Sequence, residues 1–138
     1  MNRRDFQRLA ELRLREAEAL LRARHFSGAY YLGGYAIECA LKACIAKRTK
    51  RYDFPESPSS VRDCYSHDLV QLVRVALLNS ELDKRKRSDP QFEDSWRIVI
   101  EWSEQSRYEF IVKQDARDLL KAISDPNHGV LQWIKSLW

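Results

Sequence analysis

The fold is decided by residues 25–50, which have the sequence HFSGAYYLGGYAIECALKACIAKRTK. Apolar residues recur on two sides of a helix drawn through this stretch, and only one narrow sector remains polar. That sector contains Tyr31, Tyr35, Glu38 and Lys42. A helix with so little polar surface is expected at the centre of a domain, with the rest of the chain packed around it.

Composition predicts an all-α fold in a single domain, residues 1–138. The 138 residues, of which 44% are hydrophobic, suffice for one core but not comfortably for two. Only 4 glycines and 4 prolines interrupt the chain, and the alternation typical of strands is scarce. Helical periodicity predicts a central helix in residues 25–50 and four others: Asn2 to about Arg24, Ser66 to about Leu82, Asp89 to about Ser103, and one from about Lys113.

The connections carry the turn and charge signals. Ser27 is expected to be the N-cap of the central helix, and Ser66-His67-Asp68 to open the third helix. Residues 52–66 form the clearest loop, and the charged residues 83–88 are expected to be a linker. The rest of the C-terminal half is predicted to be irregular over 104–112, kinked or broken at 125–129, and helical in the final stretch VLQWIKSLW.

Two further features of the chain leave alternatives open. The small residues Ala29, Gly33, Ala36 and Ala40 form a stripe that suits either the close approach of another helix or dimerisation. The net charge of +4 is compatible with an anionic partner. Basic runs lie at 47–51 and 84–87, and the default interpretation is that both are solvated. The candidates for phosphate binding are Lys47, Arg48, Lys50 and Arg51.

Targeting and cofactor signals are lacking in the sequence. No stretch has the length of a membrane span, and the first residues lack a continuous apolar signal region. Cys39, Cys44 and Cys64 show no metal-binding or redox spacing, so we expect reduced thiols in a cytoplasmic protein without membrane contact. There is no glycine-rich phosphate loop, serine elbow or zinc-ligand cluster, and we therefore expect no metal and no cofactor.

Several motifs together resemble the HEPN family, the higher eukaryote and prokaryote nucleotide-binding domains. They are Gly28-Ala29-Tyr30-Tyr31, Ala36-Ile37-Glu38-Cys39-Ala40-Leu41-Lys42, His67-Asp68-Leu69 and Arg107-Tyr108. The resemblance implies an up-and-down bundle of about five helices, homodimers, and pairing with a nucleotidyltransferase encoded alongside. Many members of the family are toxins or defence nucleases that cut RNA without a metal, whereas others only bind nucleotides or partners.

The nuclease members carry an arginine followed four to six residues later by a histidine in the C-terminal half. Here Arg97 is followed by Glu101 at that distance, so the motif is absent from its expected place. Arg62 and His67 have the right spacing in the loop before the third helix, and their side chains suit a cation and a general base. The alternative is that Arg62 is a solvated charge and His67 only the first-turn residue of a helix.

Glu38 is the second candidate, because a carboxylate in an apolar helix must be paired or protonated. Lys42, Tyr31 and Tyr35 are near it on the same helix, and Arg107 or His67 are candidates across the bundle. Glu38 is then either a structural anchor or part of a pocket that binds a nucleotide or lines a dimer cleft. The pocket residues that we predict are Tyr31, Tyr35, Glu38, Lys42, Arg107 and Tyr108.

These observations lead to two hypotheses of different class. The preferred one is a HEPN module that dimerises and binds a nucleotide or RNA, and that acts with a nucleotidyltransferase-type partner in a toxin–antitoxin or defence system. The alternative is a metal-independent ribonuclease that uses Arg62 and His67.

Overall fold

The computed structural model describes residues 1–49 and 62–138, and these residues are helical without a strand. The predicted all-α class is therefore confirmed for this part of the chain. Residues 50–61, which include most of the predicted loop as well as Lys50 and Arg51, lie outside the described residues.

The first two helices form an antiparallel hairpin. Helix α1 spans Arg3–Arg22 and is capped by a reciprocal pair of hydrogen bonds between Asn2 and Asp5. Helix α2 spans Phe26–Arg48. The predicted N-cap of α2 is wrong, because α2 begins one residue before Ser27, and the Ser27 hydroxyl instead accepts a hydrogen bond from the Ile111 amide at 3.0 Å.

Helix α2 is the centre of the described fold, as its sequence predicts. It packs against α1 and against four later elements. The stripe Ala29, Gly33, Ala36 and Ala40 is fully or almost fully buried within the chain. A Cβ added at Gly33 would lie 2.6 Å from a methyl carbon of Leu120, so this glycine permits the close approach of a C-terminal helix.

The C-terminal half is divided into more helices than the sequence indicates. Residues 62–64 are helical, and the elements that follow are α3 (Leu69–Val75), α4 (Asn79–Ser88), α5 (Pro90–Ile100), a 3-10 helix (Glu104–Tyr108), α6 (Lys113–Ser124) and α7 (Val130–Lys135). The described residues thus hold at least seven α-helices and a 3-10 helix, more than the predicted five. The segment expected to be irregular contains the 3-10 helix. Residues 125–129 separate α6 from α7, so the helix is broken there rather than kinked.

Two predictions for the C-terminal half are wrong, each for its own physical reason. The predicted third helix is interrupted at Leu77, which has a positive φ of 57° and separates α3 from α4. The predicted linker at 83–88 is the second half of α4. Lysine, arginine and glutamate are good helix formers, so a charged run can be helical when one side chain, here Leu82, anchors it to the core.

The core contains the apolar faces of α2, α3, α5, α6 and α7. Trp96, Trp102 and Trp133 are buried in it. Cys39 and Cys44 are buried thiols, and burial raises the pKa of each to about 11. Within the described ranges, no helix combines the length and apolar character that crossing a bilayer requires.

Candidate functional site

Glu38 of α2 is buried, with 1% of its side chain exposed, and the predicted pairing of this carboxylate is confirmed. Its Oε1 accepts a hydrogen bond from Lys42 Nζ at 2.9 Å and lies 2.9 Å from His67 Nδ1. Two of the five candidate groups are therefore its partners, while Tyr31 and Tyr35 make ring contacts and Arg107 pairs with Glu104. A buried carboxylate stays charged only when it is paired, and Lys42 and His67 provide that pairing.

The start of α3 fixes the position of His67. Asp68 is the N-cap of α3, and its carboxylate accepts from the amides of Val70 and Gln71 at 3.0 and 3.3 Å. The Ser66 hydroxyl accepts from the Asp68 amide at 3.0 Å. The predicted helix start is two residues too early, because Asp68 rather than Ser66 is the N-cap and His67 precedes the cap instead of lying in the first turn. Hydrogen bonds nonetheless hold the backbone on both sides of His67.

The hydrogen bond to Glu38 also determines which nitrogen of His67 can meet a ligand. Because Glu38 Oε1 is a carboxylate oxygen, Nδ1 carries the proton that it donates. Nε2 is then the acceptor of a neutral ring or the donor of a protonated one. His67 has 44% of its side chain exposed and its Nε2 lies 3.4 Å from Glu104 Oε2, whereas Glu38 is inaccessible.

The 3-10 helix supplies two more charged groups next to the ring. Glu104 Oε2 lies 3.4 Å from His67 Nε2, and Glu104 Oε1 lies 3.3 Å from Arg107 Nη1. We refer to Glu38, Lys42, His67, Glu104 and Arg107 as the His67 cluster. Its two carboxylates and two permanent cations balance one another when the histidine is neutral.

Aromatic packing holds the 3-10 helix against α2. The Tyr31 ring lies 6.2 Å from the Trp102 ring and 6.1 Å from the Tyr35 ring, centroid to centroid. Trp102 is buried beside Gly34, where a Cβ would lie only 2.2 Å from atoms of the indole. Only a glycine therefore leaves room for this indole, and the indole in turn sets the position of the chain that carries Glu104 and Arg107.

Arg107 and Tyr108 form the exposed edge of the site. The Arg107 guanidinium lies 4.9 Å from the centre of the Tyr108 ring, and 72% of Tyr108 is exposed. The pKa of Arg107 is above its ordinary value, chiefly because of the adjoining Tyr108 phenol and to a smaller degree because of Glu104. On the inner side, burial and then the nearby Cys39 and Glu38 raise the pKa of the Tyr35 phenol.

A cavity of about 330 Å³ adjoins the cluster between the start of α3 and the end of α5. His67 and Glu104 supply polar groups to its wall, while Val70, Ile100 and Trp102 supply apolar surface. Its volume is at the lower end of the range for small-molecule sites, about 300–1,000 Å³. The wall also includes the acidic residues Asp68 and Glu101, so the space next to the histidine is lined by polar as well as apolar groups.

The structure brings some predicted residues together and not others. Of the predicted pocket residues, Glu38 pairs with Lys42, Tyr31 stacks with Tyr35, and Arg107 lies against Tyr108, but none of the six lines the cavity beside His67. The side chain of Arg62 makes no recorded contact with His67 within the described ranges, and Arg62 is exposed. Their joint catalytic role stays a prediction.

The basic residues at the end of α2 lie apart from the cluster. Lys47 Nζ donates to the backbone carbonyl of Leu137 at 3.1 Å, near the end of the chain, and Arg48 is exposed. Lys50 and Arg51 fall outside the described residues. The phosphate-binding role of this run stays a prediction.

Two features of the structure are not predicted from the sequence. Glu104 was not singled out, although its position three residues before Arg107 is a common spacing for an ion pair. The second is a cluster at the start of α5, where both carboxylate oxygens of Asp89 lie within 3.0 Å of His128 Nδ1 and Arg85 donates to Asp89 at 3.2 Å. Burial alone would raise the pKa of Asp89, but hydrogen bonds from His128, the Phe92 amide and Arg85 outweigh it and lower the pKa.

The described side chains include no group of three or more histidine, cysteine, aspartate or glutamate residues arranged to hold a metal ion. Comparison with known proteins finds no matching family model, no similar protein of curated function and no similar solved structure. The function of the chain must therefore be argued from the geometry of the His67 cluster and from the motifs in its sequence.

Proposed function

We propose that this chain is a HEPN-type helical module that binds the phosphate group of a nucleotide or of RNA at the His67 cluster. The observation that carries the proposal is the His67 ring, whose Nδ1 is fixed by the buried Glu38 while its Nε2 lies beside Glu104, which also pairs with Arg107. When the ring is protonated, Nε2 is a donor, and it forms with the Arg107 guanidinium a pair of charged donors for an anion.

A phosphate that carries a base can use two features of this position. A guanidinium presents a planar set of donors that matches two oxygens of a phosphate or carboxylate. The exposed Tyr108 ring next to Arg107 offers a face on which a base could stack, and such stacking contributes about 1–3 kcal/mol per base in single-strand binders.

The finer structural part of the proposal is an up-and-down, HEPN-like arrangement of the longer helices. Its support is the pairing of two of the quoted motifs, since Glu38 and Lys42 of the central helix meet His67 of the motif that opens α3. The resemblance extends the proposal to a cytoplasmic toxin–antitoxin or defence system in which the chain acts with a nucleotidyltransferase-type protein. A co-purification with the product of an adjacent gene would test that partner.

RNA binding by matched variants tests the proposed site. We expect His67→Gln and Arg107→Ala each to weaken the binding of a fluorescent single-stranded RNA about tenfold in anisotropy titrations, because each removes a charge-assisted contact. The controls are Arg97→Ala in α5 and His128→Gln in the α6–α7 connection, which remove the same residue types away from the cluster. Equal losses in the variants and their controls would sink the proposal.

One observation favours a ribonuclease as the second candidate. A histidine held through Nδ1 by a buried carboxylate is oriented for proton transfer at Nε2. As a base, Nε2 would take the proton of a ribose 2′-hydroxyl, whose oxygen attacks the adjacent phosphorus and expels the 5′-oxygen, leaving a 2′,3′-cyclic phosphate. Arg107, which pairs with Glu104 next to Nε2, is a cation available for the developing negative charge, and Arg62 remains the candidate that spacing predicts.

Incubation of RNA with the purified protein in EDTA separates the two candidates. Cleavage that ends in a 2′,3′-cyclic phosphate and disappears in His67→Ala would establish the ribonuclease. Parallel Arg62→Ala and Arg107→Ala variants would show which arginine takes part. RNA that is bound but remains intact with the wild-type protein would leave the binding module as the function.

A homodimer is also part of the proposal. Its support is an exposed apolar edge that follows the 3-10 helix, where Phe110 is fully exposed and Val112 largely so. We expect sedimentation velocity to give a dimer for the wild type and a monomer for Phe110→Ser. A wild-type monomer at tens of micromolar would contradict this part.

A further inference from the structure

Glu104 occupies the position where the proposed anion would bind. Its two carboxylate oxygens point to different donors, Oε2 to His67 Nε2 and Oε1 to Arg107 Nη1. It therefore bridges the two groups that the proposed function assigns to a phosphate. A ligand phosphate and the Glu104 carboxylate cannot fill this place at the same time.

The two contacts of Glu104 are looser than the contact beneath them. They measure 3.4 and 3.3 Å and are ion pairs without hydrogen-bond geometry, whereas His67 Nδ1 lies 2.9 Å from Glu38. Glu104 is also 26% exposed, while Glu38 is 1% exposed. The inner carboxylate is thus fixed, and the outer one can turn toward solvent without leaving a charge buried.

We propose that Glu104 is a built-in competitor of the ligand, an autoinhibitory carboxylate that must move away from His67 and Arg107 before an anion binds. This inference rests on the proposed function, because it concerns the regulation of the same site. With Glu104 displaced, Arg107 and Nε2 of His67 lose the carboxylate with which both are paired.

The bridging geometry also specifies the class of ligand. To replace Glu104, an anion must offer two acceptor oxygens that reach His67 Nε2 and Arg107 Nη1 together. The two non-bridging oxygens of a phosphodiester meet this requirement, and so do those of a terminal phosphate. A nucleoside without phosphate has no such pair of charged oxygens and should not displace Glu104.

The test compares two variants that remove one negative charge each. Glu104→Gln removes the bridging carboxylate, and Glu101→Gln removes a carboxylate that lines the same cavity but is recorded in no ion pair with His67 or Arg107. We expect Glu104→Gln to bind single-stranded RNA about three- to tenfold more tightly than the wild type, because a competing partly exposed ion pair is lost. Glu101→Gln should change affinity less than twofold.

A second readout does not depend on RNA. Side-chain ¹H–¹⁵N spectra follow the His67 ring while inorganic phosphate is added to each variant at constant ionic strength. Phosphate should shift the His67 signals at a several-fold lower concentration in Glu104→Gln than in Glu101→Gln. A thermal melt of both variants confirms that the near-isosteric substitutions leave the fold intact.

The outcomes separate this inference from the proposed function. Equal tightening in both variants would overturn the inference, since it would reflect net charge alone, and so would an unchanged or weaker affinity in Glu104→Gln. If RNA binds but His67→Gln binds it equally well, the proposed RNA site fails, while the phosphate titration still decides the role of Glu104. Phosphate that leaves His67 unshifted in Glu104→Gln would overturn the inference outright.

Discussion

Replacement of Gly34 by alanine should destabilise the protein and disturb the His67 cluster together. A Cβ at this position would lie 2.2, 2.2 and 2.3 Å from three ring atoms of Trp102. Ordinary carbon contacts are about 3.5–4.0 Å, so the indole would have to move by roughly 1.5 Å. Trp102 is 3% exposed, and its rigid ring is bounded by the core and by Tyr31.

The magnitude follows from two opposed terms. Overpacking of a well-packed core costs about 1–3 kcal/mol, and the required displacement places Gly34→Ala near the upper end. Alanine recovers about 1 kcal/mol of helix propensity relative to glycine. The net loss is about 2 kcal/mol, which corresponds to a decrease in Tm of roughly 8 °C for a chain of this size.

Thermal unfolding followed by circular dichroism measures this loss. Gly28→Ala is the matched control, because the nearest atom to its Cβ would be a flexible Leu20 methyl carbon at 3.2 Å. We expect its Tm to stay within a few degrees of the wild-type value. A Gly34→Ala protein with an unchanged or higher Tm would refute the packing argument, and unaltered His67 resonances in that variant would refute the link between Trp102 and the site.

Three further predictions concern groups whose environment the structure defines. Asp89 has a lowered folded-state pKa, so its contribution to stability is present above its unfolded pKa and is lost as the pH falls through the folded value; acid unfolding below pH ~4 should be less steep in Asp89→Asn. Cys39 and Cys44, with pKa values raised to about 11, hold about one thiolate in a thousand at pH 8 and should resist iodoacetamide in the native protein, as mass spectrometry can show. Glu38→Ala leaves a largely buried ammonium without its partner and should reduce the free energy of unfolding in urea by about 3 kcal/mol.

A specific experimental result would contradict each of these predictions. An Asp89→Asn protein with an acid transition as steep as that of the wild type would show that His128 does not stabilise the ionised Asp89. Native labelling of Cys39 and Cys44 at the rate of the urea-unfolded chain would show that these thiols are accessible. Glu16→Ala removes an exposed partner of Arg13 and should cost no more than about 1 kcal/mol; an equal cost for Glu38→Ala would deny that burial matters.

The sequence predicts those parts of the site that depend on local geometry. The pairing of Glu38 with Lys42 follows from a spacing of four residues on a helix, and the start of α3, to within two residues, follows from its capping residues. His67 could be proposed as a partner of Glu38 because a buried carboxylate demands one. The position of Glu104 depends instead on how the 3-10 helix packs on α2.

The unpredicted parts of the fold have equally specific causes. Leu77 ends α3 in a left-handed backbone conformation that leucine rarely adopts, so neither a glycine nor a proline marks this helix end. The composition of residues 83–88 suits a linker as well as a helix. The burial of Leu82 is what favours the helix. The close approach at Gly34 is not predicted from the sequence, because its partner Trp102 lies 68 positions later and belongs to no periodic pattern.

The most direct test of the His67 site is the response of the histidine rings to RNA. The chain has 3 histidines, and His25 and His128 lie outside the cluster and serve as internal controls. In side-chain ¹H–¹⁵N spectra of the wild-type protein, addition of a short single-stranded RNA should shift the signals of His67 and leave those of His25 and His128 in place. Shifts confined to the other two histidines, or no shift of His67 at saturating RNA, would contradict the assignment of function to this cluster.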